Sequence, residues 1–244
     1  YDLWAMETRI NKFLSEVGFC SRRAADKLLE AGKITINGHV PELGTKVQAG
    51  DEVRVEGKLV GGGERDDLVY LAFHKPVGIV CTTDQKREED NIIDFIGYPT
   101  RIFPIGRLDK PSEGLIFLTN DGDIVNKILR ARNHHEKEYI VTVDRIIIGD
   151  FISDMGKGVP ILDTVTSPCF IEQTGDREFR IVLTQGLNRQ IRRMCEHFGY
   201  RVGRLKRVRI MNMHLDMPVG TWRDFQKHEL EEMYRLIGDS SKTV

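Results

Sequence analysis

A chain of 244 residues, 40% of them hydrophobic, can bury one large core or a small domain beside a medium one, and no apolar run in it approaches a membrane span. Its 36 basic and 37 acidic residues leave a formal net charge of -1, which excludes a uniformly basic nucleic-acid binder and leaves local clusters of basic charge to be found. Cys20, Cys81, Cys169 and Cys195 are scattered with no C-x-x-C pair and no histidine at zinc spacing, so neither a disulfide framework nor a metal site is expected; nor do the adjacent His134 and His135 have ligand spacing. With reduced thiols and no secretory leader pattern, the expectation is a soluble cytoplasmic protein.

Tyr1 to Ala5 precede Met6 and lack the pattern of the residues after it, so they read as an appended segment. Thr8 is placed to cap a helix with Ile10, Phe13, Leu14 and Val17 on one face, and Gly18 to end it. Ser21 opens a second helix, SRRAADKLLEAG, closed by Gly32. In ITINGHV the Asn37-Gly38 pair signals a tight hairpin turn between short strands, and DEVRVEG supplies a further strand. From Gly57 to Asp67 the chain has linker chemistry, with Gly61-Gly62-Gly63 followed by charges. A boundary there divides a small unit, residues 7–60, from a larger one, residues 68–238.

The larger unit begins with LVYLAFHKPVGIVCTT, two predicted strands joined through Lys75-Pro76-Val77-Gly78. Ile102, Phe103 and Ile105 then form an apolar approach, and Leu115 to Leu118 a buried strand that ends at an Asn120-Asp121-Gly122 turn. Asp109 lies between them on a loop. EKEYIVTVD alternates as a half-buried strand should, with Tyr139 on one side. From Leu187 to Phe198 the residues Leu187, Ile191, Met194, Cys195 and Phe198 recur at helical spacing, which puts Arg189, Arg192 and Arg193 on the flank and reverse. Between Gly186 and Arg209 eight basic residues face the single acid Glu196, so the positive charge is local.

The stretch GRLDKPSEGL resembles the G-R-L-D-x-x-[ST]-x-G-L core of pseudouridine synthases, in the branch that modifies ribosomal RNA. Gly106, Arg107, Leu108, Asp109, Gly114 and Leu115 fill its fixed positions and Ser112 its hydroxyl position. The same family carries a K-P-x-G segment, matched at Lys75 to Gly78, a K-x-Y strand, matched at Lys137 to Tyr139, and a Q-[VI]-R-R-M helix, matched at Gln190 to Met194. The N-terminal unit is similar to the S-four-like RNA-binding domain, the alpha-L motif, with its S-R-R and N-G. The resemblance covers nearly the whole chain.

That resemblance implies an α+β protein: a small S-four-like domain followed by a catalytic domain on a large mixed, mainly antiparallel sheet. It implies a reaction that breaks the carbon–nitrogen glycosidic bond of uridine, turns the uracil and rejoins it through carbon, with no cofactor and no metal. Asp109 is then the catalytic carboxylate, as nucleophile or as stabiliser of an electron-poor sugar, with Arg192 beside it favouring its ionised form. Tyr139 would stack on the uracil and help the final proton removal, and Arg107 would occupy the space left by a flipped base or hold the flipped phosphate backbone. Leu108, Leu115 and Ile191 would wall out water. Arg9, Lys12, Arg22, Arg23, Lys27 and Lys33 are the expected backbone contacts of the N-terminal domain, with Arg189 and Arg193 as further RNA contacts; Lys75 is read either as an RNA or active-site contact or as part of a structural loop set by Pro76 and Gly78.

The expected substrate is a uridine in a stem-loop of large-subunit (23S) ribosomal RNA, acted on by a monomer. Small-subunit ribosomal RNA and a transfer RNA anticodon stem-loop are the alternatives. A non-catalytic ribosome-assembly factor is the rival from another class, and Asp109, Tyr139 and Arg192 together count against it.

Overall fold

The computed structural model describes residues 7–60, 67–83, 88–129 and 134–238; the leading Tyr1 to Ala5 and the Gly61-Gly62-Gly63 run lie outside the described residues. The chain divides into two compact units, Tyr1–Leu68 with Pro99–Arg101, and Val69–Tyr98 with Ile102–Val244.

The first unit runs β1 (Thr8–Arg9), α1 (Ile10–Glu16), α2 (Arg22–Glu30), β2 (Ile34–Ile36), β3 (Lys46–Val47), β4 (Val53–Val55) and β5 (Lys58–Val60). Ile10, Phe13, Leu14, Ala25, Leu29 and Ile34 form its core, so the apolar faces read from the sequence are the ones that pack. Ser21 caps α2 as expected, its hydroxyl accepting from the Ala24 amide at 3.2 Å. Thr8 does not cap α1: it pairs with Val47 in a two-stranded ladder, and Arg9 stands at the cap without a side-chain bond. The Asn37-Gly38 turn forms, with both residues at positive φ and Ile36 and His39 exchanging two backbone bonds. The hairpin goes no further than that pair, because Asn37 is tied to Glu52 by bonds of 2.8 and 2.9 Å and β2 pairs with β4 instead.

The second unit runs β6 (Tyr70–Lys75), α3 (Ile92–Ile96), β7 (Phe103–Ile105), β8 (Glu113–Thr119), α4 (Gly122–Leu129) and β9 (Lys137–Val143). It continues through α5 (Phe151–Gly156), β10 (Pro160–Ile161), β11 (Thr164–Val165), β12 (Phe170–Gly175), β13 (Glu178–Leu183) and α6 (Gln190–His197). It closes with β14 (Val202–Ile210), β15 (Met213–His214), β16 (Trp222–Asp224) and α7 (Lys227–Ile237). Among the described residues nine strands form one sheet in the order β12-β13-β9-β14-β8-β6-β16, with β7 beside β8 and β15 beside β14. Among these described strands only the β14–β8 pairing is parallel, which makes the sheet mixed and mainly antiparallel.

The continuous apolar run of β8 is explained by burial on both faces: Ile116 and Leu118 join one core cluster, Leu115 and Phe117 another. Gly114 is what lets β14 lie so close, since at φ +123° a Cβ would collide with the backbone of Arg207. After the Lys75-to-Gly78 turn the expected second strand shrinks to one bridge, Val80 to Asn91, because Asn91 turns the chain by capping α3. The Asn120-Asp121-Gly122 turn is the start of α4, with Asp121 accepting from the Asp123 amide at 2.9 Å.

Candidate active site

Asp109 stands on the loop between β7 and β8, and that loop is fastened from several directions. The Asp109 carbonyl accepts from the Ser112 amide at 2.9 Å, closing a β-turn over Lys110-Pro111. The Lys110 carbonyl accepts from the Gly78 amide at 2.8 Å, and the Leu108 amide donates to the Cys81 sulfur at 3.3 Å. Lys75 lies beneath, with its Nζ donating to the Pro76 and Ser112 carbonyls at 2.7 and 2.8 Å. It is 0% exposed, and burial pushes its ammonium down to about 8 against the opposing pull of Cys81 and Asp109. Of the readings open for Lys75, the structural one fits: a fully buried ammonium does not meet a phosphate, and the K-P-x-G segment serves the Asp109 loop.

Arg192 supplies the opposite clamp. Its Nη2 donates to the Pro111 carbonyl at 3.0 Å and the Ser112 hydroxyl at 2.9 Å, which leaves Nε 3.8 Å from Asp109 Oδ2 and without a hydrogen-bond partner. The carboxylate needs only a small shift to take that donor. Helical spacing put Arg192 on the flank and reverse of α6; in fact it is 7% exposed and packs inward with Ile191 and Cys195. Burial lowers its guanidinium, Asp109 raises it, and the group stays cationic in the physiological range.

These residues open onto a cleft of about 440 Å³ within the second unit, a size suited to a small flat ligand. Arg107 is exposed and lines it beside Asp109. Leu108 and Ile191 line it too, as the expected apolar wall; Leu115 does not, being turned to the second core cluster. Tyr139 on β9 is 9% exposed and lines the same cleft, with the Arg207 guanidinium 5.9 Å from its ring centroid. Asp109, Tyr139 and Arg192, far apart in sequence, are thus brought together.

The basic run after Gly186 divides. Arg189, in a left-handed conformation before α6, is exposed and lines the cleft. Arg193 folds back on its own loop, donating from Nε and Nη2 to the Asn188 carbonyl and side chain at 3.0 and 3.1 Å. Arg204 and Lys206 meet Glu113 at 2.7 and 3.7 Å, and Arg209 meets Glu138 and Glu136 at 2.8 and 2.9 Å. The local charge excess seen in sequence is thus partly offset by acids from neighbouring strands.

In the first unit Arg9, Arg22, Arg23, Lys27 and Lys33 are exposed, and Lys12 half-buried. Lys12 pairs with Glu16 at 3.2 Å and Lys33 with Glu56 at 2.6 Å; no ion pair involves Arg9, Arg22, Arg23 or Lys27 among the described residues.

Sequence reasoning missed Lys137 and Arg207 as cleft residues. Both had a signal: Lys137 is in phase with buried Tyr139 on β9, and Arg207 with buried Leu205 on β14.

Residues 69–197 match the family model for RNA pseudouridylate synthases, and residues 8–53 that for the S4 domain. The chain is 58% identical over 235 residues to the dual-specificity RNA pseudouridine synthase RluF of Salmonella typhi, covering 96% of this chain and 81% of that one. It is 32% identical over 245 residues to the ribosomal large subunit pseudouridine synthase B of Bacillus subtilis strain 168, covering 97% and 99%. A crystal structure of a pseudouridylate synthase superposes with a TM-score of 0.68 at 27% identity, covering 93% of this chain and 99% of that one. The chain belongs to the RNA pseudouridine synthase family, with an S4 domain ahead of the synthase domain.

Proposed function

We propose that this synthase isomerises a uridine in large-subunit (23S) ribosomal RNA, with Asp109 as the catalytic carboxylate. The observation that carries the site is the Asp109 carboxylate on a pinned loop, 35% exposed to a nucleoside-sized cleft and 3.8 Å from the buried Arg192 Nε. The ribosomal substrate is supported by the Bacillus relative, whose name states it. A second RNA, for which a transfer RNA anticodon stem-loop is the first candidate, is favoured by the dual specificity in the name of the RluF relatives.

In this reading the target uridine flips out of its stem-loop, Arg107 takes the vacated space, and the uracil lies against Tyr139. Asp109 works at the sugar, either by attack on C1′ or by supporting loss of the 2′ proton. Arg192 orients the carboxylate and keeps the Pro111-Ser112 turn in place beneath it. Tyr139 assists removal of the C5 proton after the uracil has turned. Arg9, Arg22, Arg23 and Lys27 neutralise phosphates of flanking RNA. The enzyme acts as a monomer in the cytoplasm, where RNA and reduced thiols coexist.

Asp109→Asn keeps the size and removes the charge. We expect turnover to fall at least about a thousandfold, roughly 4 kcal/mol of barrier, with RNA binding retained. A variant that forms pseudouridine at the normal rate would overturn the assignment. Pseudouridine mapping of ribosomal and transfer RNA from cells lacking the gene tests the substrate: a lost site in the large-subunit RNA is expected, and losses confined to other RNAs exclude it.

A further inference from the structure

Among the described residues, two buried cations of the cleft take no part in fastening the Asp109 loop. Arg207 is 4% exposed; its Nε donates to the Leu115 carbonyl at 2.6 Å, and its Nη2 is buried without a partner. Lys137 is 8% exposed, and the contact of its Nζ is a long one, 3.3 Å to the His135 carbonyl. No carboxylate pairs with either among the described residues, and both line the cleft with Tyr139. The sheet register explains the grouping: Arg207 is the cross-strand partner of Tyr139, and Lys137 lies two residues before Tyr139 on the same face.

Burying two like charges without a counter-charge is costly, and an unpaired buried donor adds to that cost. Burial and the charge of Arg207 push Lys137 down to about 8, which leaves it mainly cationic at neutral pH. A negative charge that arrives with the substrate and grows during the reaction would make such an arrangement useful. Breaking the glycosidic bond produces one. If Asp109 attacks, its oxygen forms a bond to C1′ as the C1′–N1 pair leaves with the base. If a glycal forms, a base takes the 2′ proton, the C2′–H pair becomes the C1′=C2′ double bond, and the C1′–N1 pair again leaves with the base. Either way uracil departs as a monoanion, its charge spread over N1, O2 and O4. The anion is consumed when its C5 pair bonds to C1′. On the attack route the C1′–O bond breaks and its pair returns to the Asp109 carboxylate. On the glycal route the double-bond pair takes the proton back at C2′ and leaves C1′ electron-poor for C5. The C5 proton then leaves and a proton goes to N1.

We propose that Arg207 and Lys137 form the cationic floor of the cleft and hold the detached uracil as its anion, through its carbonyl oxygens, while it turns. The inference rests on the placement of uridine in this cleft proposed above. A backbone phosphate, joined to neighbours on both sides, fits groups this deep less well than a flat base beside the Tyr139 ring.

Lys137→Met tests it, since methionine fills the same space without the charge. The readout is single-turnover loss of the N-glycosidic bond at saturating enzyme, on a stem-loop carrying uridine and on one carrying 5-fluorouridine at the target. Fluorine makes the departing base a weaker base, so it needs less help. On uridine a fall of at least about tenfold is expected; on 5-fluorouridine a fall at least about threefold smaller, with RNA affinity and thermal midpoint not lowered. Lys137→Gln, which keeps a donor without charge, is expected to fall with it. An unchanged rate, or equal falls on both substrates, overturns the inference; weakened affinity at a normal rate also overturns it, by making Lys137 a phosphate contact. Asp109→Asn run in parallel separates the two levels: if it keeps full turnover the cleft reading fails as a whole, and if it alone loses turnover only the cationic floor fails.

Discussion

Arg22, Arg23 and Lys27 stand exposed along α2 of the first unit, while Lys75, Lys137, Arg192 and Arg207 in the second are each less than a tenth exposed. The residue types are the same and the physics is opposite. An exposed cation is screened by salt, exchanges partners and contributes modestly to any one contact. A buried one is fixed by a few bonds, carries a desolvation cost and acts on one neighbour. Substitutions in the first unit are therefore expected to give graded, salt-dependent changes, and those in the second steep and local ones.

Backbone packing gives the largest contrast. Gly114→Ala would drive a Cβ into the Arg207 backbone from a φ of +123°, so a loss of about 4 kcal/mol or outright failure to fold is expected. Gly38→Ala, at φ +82° with open space around it, should cost only about 1–2 kcal/mol. Urea unfolding of both variants checks this, and similar costs would mean that the close β8–β14 approach is not fixed by Gly114.

Next in size is the cost of burying Lys137. Its value of about 8 lies below the roughly 10.4 of an unfolded lysine, so the folded protein binds fewer protons between those two pH values. The penalty is fully present below pH 8 and is relieved as pH rises towards 10. Lys137→Met should therefore be more stable than the parent by about 1–3 kcal/mol at pH 7, with the gap closing by pH 10. Unfolding free energies across that range decide it: a gap independent of pH would mean that the ammonium is not desolvated.

Arg192→Lys ranks third. It keeps the charge but loses the fork that reaches Pro111, Ser112 and Asp109 together. A fall of at least about tenfold in the single-turnover rate, roughly 1.4 kcal/mol, is expected with RNA affinity little changed. A normal rate with weakened binding would move Arg192 into the RNA-contacting set.

How far this division could be read from the sequence depends on which signal each residue leaves. Motif spacing identified Asp109, Tyr139 and Arg192, and the structure brings them to one cleft. Periodicity found β8, β9 and the two N-terminal helices, because their apolar faces are long enough to carry a pattern. It failed for β1 and β3, two residues each, and for the bridge at Val80, where pairing across the chain decides. It also misplaced Arg192: a charged residue is read as exposed by default, and only tertiary partners such as the Pro111 carbonyl and the Ser112 hydroxyl make its burial tolerable. The ion pairs of Arg204 and Arg209 with Glu113, Glu136 and Glu138 were likewise invisible, since strands distant in sequence supply the acids.

The smallest effect per residue belongs to α2. Arg22, Arg23 and Lys27 sit at i, i+1 and i+5 and make no ion pair among the described residues, so each is available to a phosphate. Replacing all three by Gln in the full chain should leave the single-turnover rate at saturating enzyme unchanged. It should weaken RNA binding and flatten the plot of log affinity against log salt by about 0.7–0.9 for each phosphate no longer neutralised. Titrations of the stem-loop at several salt concentrations measure that slope directly. An unchanged slope would remove α2 from the RNA-binding surface, and a lowered saturating rate would mean that these exposed charges reach the chemistry, against the division drawn between the two units.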